Sequence, residues 1–310
     1  MQKDRVLILA KVEAAYGTDP VPVAATDAIL AQNVEISVAG RRVERGAYPG
    51  FMGKQAPVNV GEAVKVKFRT EIKGNGVAAD TPPEIGVLFK GCNFTETVNA
   101  AVSVAYAPNS NISGNTSIAL YASQHDLLHK IIGARGTFSI TCKAGEYAYI
   151  DWEFTGIYAG PVDSAIAAGT FNATIPPRFL SALTSLAAYD VVFETISFDI
   201  QNQIAKRVDA NSATGIKEWL ITQRAPKGNI DPEMVAVATK DLWGLWSAST
   251  QAAIMSTIGS AVGNKCVITA PKAVLDVPSY GDRENWLTLS CPFTLHPTAA
   301  GNDELTLTFS

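Results

Sequence analysis

The chain has 310 residues, 47% hydrophobic and 17% charged, with a formal net charge of −4. That length supports one large or two ordinary domains, and so many apolar residues with so little charge exclude a disordered chain. A protein that grips nucleic acid needs a basic stripe, and none is present. The apolar run at residues 6–10 stops at Lys11, too short for a signal-peptide core, and no run approaches the ~20 residues of a spanning helix. The expectation is a protein made and kept in solution, in a cytoplasm or in something assembled there. Cys92, Cys142, Cys266 and Cys291 are scattered without a C-x-x-C pair and read as core filler rather than disulfide or zinc chemistry.

In chain order, residues 33–38 alternate Val34, Ile36 and Val38 with Glu35 and Ser37. Residues 63–72 alternate Val64, Val66, Phe68 and Ile72 with Lys65, Lys67, Arg69 and Glu71. Such alternation predicts half-buried strands with one wet face. Thr81-Pro82-Pro83-Glu84 is a capping box followed by the apolar stripe Ile85, Leu88 and Phe89, which predicts a short helix ending at Gly91. Strands follow at 101–106, 116–122, 127–132, 137–142, 147–158, 196–201 and 218–223. A second helix is expected over 241–247, with Leu242, Leu245 and Trp246 on one face. Four more strands, at 254–258, 265–269, 286–295 and 304–309, complete a mainly-β chain.

An ordered set of weak matches suggests a tandem duplication. Val34/Ile36/Val38 answers to Ile196/Phe198/Ile200, and Lys73-Gly74-Asn75 to Lys227-Gly228-Asn229. The two helices match each other. Ile132-Gly133 answers to Ile258-Gly259, Ile140-Thr141 to Ile268-Thr269, and Phe154-Thr155 to Phe293-Thr294. The expected division is a first copy over 1–160, a linker running over the surface at 161–190, and a second copy over 191–310. The first copy carries about thirty extra residues before Leu128, an additional hairpin.

Catalytic constellations are weak. His125-Asp126-Leu127-Leu128-His129 reads as a turn opening a strand, which holds the imidazoles about 13 Å apart. Lys73-Gly74-Asn75-Gly76 lacks phosphate-loop spacing. Asp151 and Glu153 share a strand face about 7 Å apart, within reach of glycosidase geometry, yet a regular strand makes them a wet sheet face. No enzyme, cofactor or metal site is expected.

Several segments together carry a resemblance. They are residues 9–20 (Leu-Ala-Lys-Val-Glu-Ala-Ala-Tyr-Gly-Thr-Asp-Pro), 128–136 (Leu-His-Lys-Ile-Ile-Gly-Ala-Arg-Gly), Phe154–Tyr158, Asp231-Pro232-Glu233 and Ser279-Tyr280-Gly281-Asp282-Arg283. The chain resembles the tail tube proteins of long-tailed, non-contractile bacteriophages from about residue 6 to 296. The resemblance implies two tandem tube-type β-sandwich or barrel copies, each with one short flanking helix. It further implies copies that form rings and stack into a hollow tube through which the genome leaves the capsid. A duplicated chain suggests rings of three with pseudo-six-fold symmetry. Expected partners are the chain itself and the tape-measure, terminator and distal tail proteins, with DNA passing unbound. By strand alternation, Glu35, Ser37, Ser197, Asp199 and Gln201 are bore-facing candidates, with Asp151 and Glu153 as a weaker pair. The long segments 1–22 and 41–59 are expected between subunits or rings, with Tyr16, Tyr48, Phe51 and Met52 as anchors. The competing expectations are a terminator, distal tail or secretion-tube relative, an outer-membrane barrel, and a carbohydrate-acting β-sandwich built on Asp151 and Glu153.

Overall fold

A computed structural model describes residues 5–47, 50–111, 115–212 and 214–310. Residues up to Asp163 supply β1 (Val6–Val12), β2 (Ala28–Ile29), β3 (Gln32–Val43), β4 (Val58–Glu71), α1 (Gly86–Gly91), β5 (Phe94–Asn99), β6 (Ser103–Pro108), β7 (Ile118–Gln124), β8 (Leu127–Lys143) and β9 (Tyr149–Asp163). The remainder supplies β10 (Ser185–Leu186), β11 (Tyr189–Asp190), β12 (Phe193–Asp199), β13 (Gln203–Val208), β14 (Ile216–Gln223), β15 (Lys227–Pro232), α2 (Leu242–Ser247), β16 (Ala252–Ile258), β17 (Cys266–Leu275), β18 (Ser279–Arg283), β19 (Trp286–Leu295) and β20 (Thr306–Phe309). The mainly-β expectation and both short helices stand, but α1 starts at Gly86 with Ile85 as its N-cap and no side-chain cap, so the expected capping box at residues 81–84 does not form; Glu84 accepts from the Leu30 and Asn172 N–H groups instead.

Antiparallel neighbours form a sheet in the spatial order β3–β4–β9–β8–β12–β15–β19–β18. Its apolar rows run straight across the strands. One row is Ile36–Val66–Phe154–Gly136, and another is Ile150–Ile140–Phe198–Gly228–Phe293. The rest of the chain covers that apolar face. The N-terminal part of β8 pairs with β7, which pairs with β1, and β1 with β2. β17 pairs with β16, β19 and β20, and β20 reaches β6 and through it β5. One core cluster spans these layers.

Phe89 of α1 sits at the centre of that core. Its ring lies within 4.9–6.4 Å of Tyr106, Trp152, Phe138, Phe94 and Phe309, which come from both layers. Two glycines make room for aromatic rings within the ladder. A Cβ on Gly136 would stand 2.5 Å from the Phe154 ring, and one on Gly228 2.4 Å from Phe293. A strand glycine at such a position marks close approach rather than a turn.

Several expectations change. The strands expected at 127–132 and 137–142 are one strand, β8, whose register shifts between Ile132 and Arg135 where Gly133 takes a left-handed φ of +60°. The match of Lys73-Gly74-Asn75 with Lys227-Gly228-Asn229 fails. The first follows the end of β4, whereas the second opens β15 and lies on the rung that faces Phe198 and Phe293. Ile258 ends β16 while Ile132 lies inside β8, and Ile268-Thr269 pairs with β16 and β20 rather than with a counterpart of β9. Those two matches fail as well. The helix match falls at the same place in both parts, after β4 and after β15. Ile36 and Phe198 occupy like rungs, as do Phe154 and Phe293: Ser37–Lys65–Thr155 is followed along the strands by Ile36–Val66–Phe154, and Asp199–Lys227–Thr294 by Phe198–Gly228–Phe293.

The run at 161–190 does not stay on the surface, because Phe179, Thr184 and Leu186 are buried and β10 pairs with β16. The additional hairpin, β5–β6, is used inside the subunit: Val104 and Tyr106 are fully buried and β6 pairs with β20. All four cysteines are buried. Replacing Phe89 by Ala removes the shared side chain of both layers, and a loss of about 3–5 kcal/mol is expected by chemical denaturation.

Candidate functional site

The face of the sheet opposite the core is polar, and it gathers the bore-facing candidates. One row reads Glu35–Lys67–Glu153–Thr137; the next reads Arg69–Asp151–Ser139–Asp199–Lys227–Thr294. Ser37 and Ser197 lie on flanking rows of the same face. Glu35, Asp151, Glu153 and Asp199 line one open depression of about 410 Å3 together with Lys67, Arg69, Thr137 and Ser139. Alternation along each strand places these side chains, and strand order brings them together.

Gln201 departs from its expected position. β12 ends at Asp199, and Gln201 adopts a left-handed φ of +49°. Its backbone N–H and side-chain amide both donate to the Asp199 carboxylate, at 3.0 and 3.2 Å. It caps the strand end rather than continuing the wet face.

The β4–β9 part of this face carries paired charge. Arg69 grips Asp151 with two hydrogen bonds, of 2.8 and 2.9 Å, and stacks its guanidinium 3.7 Å over Tyr149. Glu153 sits between Lys65 at 2.6 Å and Lys67 at 3.0 Å. Partial burial disfavours ionised Glu153, but hydrogen bonds and charge from Lys65 and Lys67 outweigh it and hold its carboxyl below the ordinary carboxylate range. The hydrogen bond to Glu153 likewise raises Lys67, and that to Asp151 raises Arg69. A glycosidase acid needs a carboxyl raised toward neutrality. Glu153 shows the reverse and Asp151 is held bidentately by Arg69, so the two belong to a cross-strand electrostatic ladder.

The anchors divide. Beyond Ala39 and Ala63 the β3–β4 hairpin runs past its last contact with β9. Val43, Val58 and Val60 are exposed there, as are Phe51 and Met52 in the connecting loop. Tyr48 lies outside the described residues. Tyr16 is held within the chain instead. Its hydroxyl accepts the Trp219 N–H at 2.8 Å, and its ring packs on Gly133 and lies 5.0 Å from the Arg135 guanidinium. Burial pushes its phenol up to about 12, against the lowering effect of the Trp219 N–H.

That contact explains why two segments more than a hundred residues apart carry recognisable patterns: they are halves of one junction. Glu13 accepts hydrogen bonds from Gly17 N–H, Gly133 N–H and Ser117 Oγ at 2.7–2.8 Å. Arg135, only 3% exposed, donates to the carbonyls of Trp219 and Asn115 and lies 3.5 Å from Glu218. A second junction joins Asp231-Pro232-Glu233 to the Ser279–Arg283 segment. Arg283 donates to the Asp231 carboxylate and carbonyl at 2.9 Å and lies 3.2 Å from Glu194. Reading by alternation alone missed Arg135 and Arg283, because each acts through residues distant in sequence.

Among the described residues, no group of three or more His, Cys, Asp or Glu side chains could hold a metal. His125 sits in the β7–β8 turn, and His129 Nδ1 lies 2.8 Å from the Tyr158 hydroxyl.

The Glu153 ladder makes a pH prediction. A carboxyl depressed below its ordinary 4.5 stabilises the fold above that value and loses the contribution as pH falls through the depressed pKa. Wild type is therefore expected to melt above Glu153→Gln at neutral pH, with the gap closing in acid; a gap unchanged down to pH 3 would contradict the ladder.

Comparison with individually characterised proteins found no match. The phage tail tube protein family matches residues 3–309, nearly the whole chain. A scaffold whose signature residues are structural joints suits that assignment, and the chain belongs to the phage tail tube protein family, as a structural, non-enzymatic component of the virion tail of a kind that polymerises.

Proposed function

We propose that the chain is the tail tube subunit of a long-tailed, non-contractile phage, and that three copies close into a ring whose two tandem halves give pseudo-six-fold symmetry. The observation that carries this reading is the order of the sheet. β3, β4, β9 and β8 are followed by β12, β15, β19 and β18, four strands from each half. Helices stand at the same point of both, and the rungs Ser37–Lys65–Thr155 and Asp199–Lys227–Thr294 repeat Lys and Thr at like positions. In this reading residues 1–160 form one copy, 161–190 connect, and 191–310 form the other.

Three chains of eight such strands give a barrel of about 24 strands. At ~4.8 Å spacing and ~40° tilt its backbone diameter is about 48 Å. Side chains leave roughly 38 Å, wider than B-form DNA at about 20 Å across. The polar face lines this bore. Asp151 and Glu153 are cancelled locally by Arg69, Lys65 and Lys67, which leaves Glu35 and Asp199 as acidic groups and gives a wall that does not grip phosphates. The β3–β4 hairpin, with Phe51 and Met52 exposed in its loop, reaches the next ring, while Tyr16 braces the β13–β14 hairpin through the Trp219 N–H. Tape-measure, terminator and distal tail proteins meet the ends of the stack.

Image reconstruction of assembled tubes tests the stoichiometry. Three-fold rings with two similar lobes per chain are expected; strict six-fold rings with one chain per lobe would overturn it. The bore assignment is tested by Glu35→Lys combined with Asp199→Lys. In a trimeric ring this adds six lysines facing the passing phosphates. Intact particles that eject DNA slowly, most clearly at low salt, are expected. Unchanged ejection kinetics at low salt would place these residues elsewhere.

A further inference from the structure

The polar-face sheet ends in two open edges. Among the described residues β3 pairs with β4 alone and β18 with β19 alone. Open edges of this kind invite pairing with another chain. Apolar side chains near both are left uncovered: Val38 is 50% exposed and Tyr280 63%. Ser279-Tyr280-Gly281-Asp282-Arg283 is, moreover, the one signature segment whose strand has no neighbour on its outer side.

The chain already contains one example of the joint these edges would make. Within it, the last strand of the first four, β8, pairs antiparallel with the first strand of the second four, β12, placing Ser139 opposite Asp199 and Ile140 opposite Phe198. The ladder rungs translate those positions to the open edges. Asp199 faces Lys227 as Ser37 faces Lys65, and Phe198 faces Gly228 as Ile36 faces Val66. On the other side, Ser139 pairs with Asp151 and Ile140 with Ile150, while Ser279 pairs with Ser290 and Tyr280 with Leu289. Phe154 and Phe293 share a rung position, so Asp151 and Ile150 answer to Ser290 and Leu289, each three or four residues earlier on its strand.

We infer that β18 of one copy pairs antiparallel with β3 of the next copy in the ring, with Ser279 opposite Ser37 and Tyr280 opposite Ile36. The inference rests on the ring reading above and names its joint. This register keeps both faces consistent. Ser279 and Ser37 fall on the polar face, while Tyr280 and Ile36 fall on the apolar face, where Tyr280 also reaches toward Val38. A slip of one residue would place Tyr280 on the polar side, so the register is strongly specified. The contact is heterologous, using a different edge from each partner, and so builds a ring where the rotation between copies closes, rather than a two-fold dimer.

Directly opposite residues on neighbouring strands hold their Cβ atoms about 4.5–5.5 Å apart, near the span a disulfide bridges, whereas diagonal neighbours stand about 7 Å apart. The four native cysteines are buried and give little background. The test is the full chain carrying Ser37→Cys and Ser279→Cys, polymerised and mildly oxidised, then run on a non-reducing denaturing gel. Covalent dimers and trimers are expected, with at least a tenfold excess over the off-register pair Glu35→Cys with Ser279→Cys. Tubes that form normally without a cross-link overturn the joint and leave the tube reading intact. Should that variant not assemble, Ile36→Cys with Tyr280→Cys probes the same register from the other face, and its failure to cross-link in tubes has the same meaning. Cross-linked species beyond trimers would support the joint and overturn the three-copy ring. A wild-type chain that forms no tubes at all counts against the ring reading itself.

Discussion

The fold depends on how a six-residue helix fills the space between two layers of sheet. α1 has no side-chain N-cap and no acidic residue in its first turn, so its own sequence gives it little stability. Tertiary packing holds it, chiefly through Phe89 against Trp152 and Phe138 on one side and Tyr106 and Phe309 on the other. Those rings come from β9, β8, β6 and β20, elements spread across the chain. The helix therefore registers the layers on each other. The polar face keeps its order because the opposite face is locked.

Alternation made the central strands legible. Residues 63–72 bury every second side chain, and β4 follows that pattern into the core. Where one face is not buried the signal fades. β13 (Gln203–Val208) is mostly exposed, and its pairing with β14 leaves no period-two trace in the sequence. Lys227-Gly228-Asn229 misleads for a different reason: its glycine accommodates the Phe293 ring, which comes from a strand some sixty residues later. The faces of Glu35, Ser37, Ser197 and Asp199 were readable, since strand parity fixes them. Gln201 was not, because nothing local marks Asp199 as the last strand residue. The ion pairs were not readable either. Lys65 meets Glu153, and Arg69 meets Asp151, only once β4 and β9 have adopted one register.

Pairing on the polar face has a physical consequence for the field that face projects. An exposed ion pair contributes little to stability, often below about 1 kcal/mol. Its larger effect here is on the field. Asp151 and Glu153 each sit beside a cation at hydrogen-bonding distance, so the potential of these pairs falls off as that of small dipoles rather than of a charged surface. Mobile salt then has less to screen, and this part of the face varies less with ionic strength than a uniformly acidic surface would.

The partner strands of β20 give the subunit a timing property. Leu307 pairs with Tyr106 on one side and Ile268 on the other, so residues 306–309 fill a slot between elements laid down some 160 residues apart. Contacts of such separation slow folding, because the ends of a long loop must meet before they are rewarded. Until that slot is filled, the far side of the Phe89 cluster stands open and neither layer is held in place. Edge strands on an unlocked sheet are poor templates for a neighbour. Closure of the core thus depends on pairings that a folding chain makes slowly.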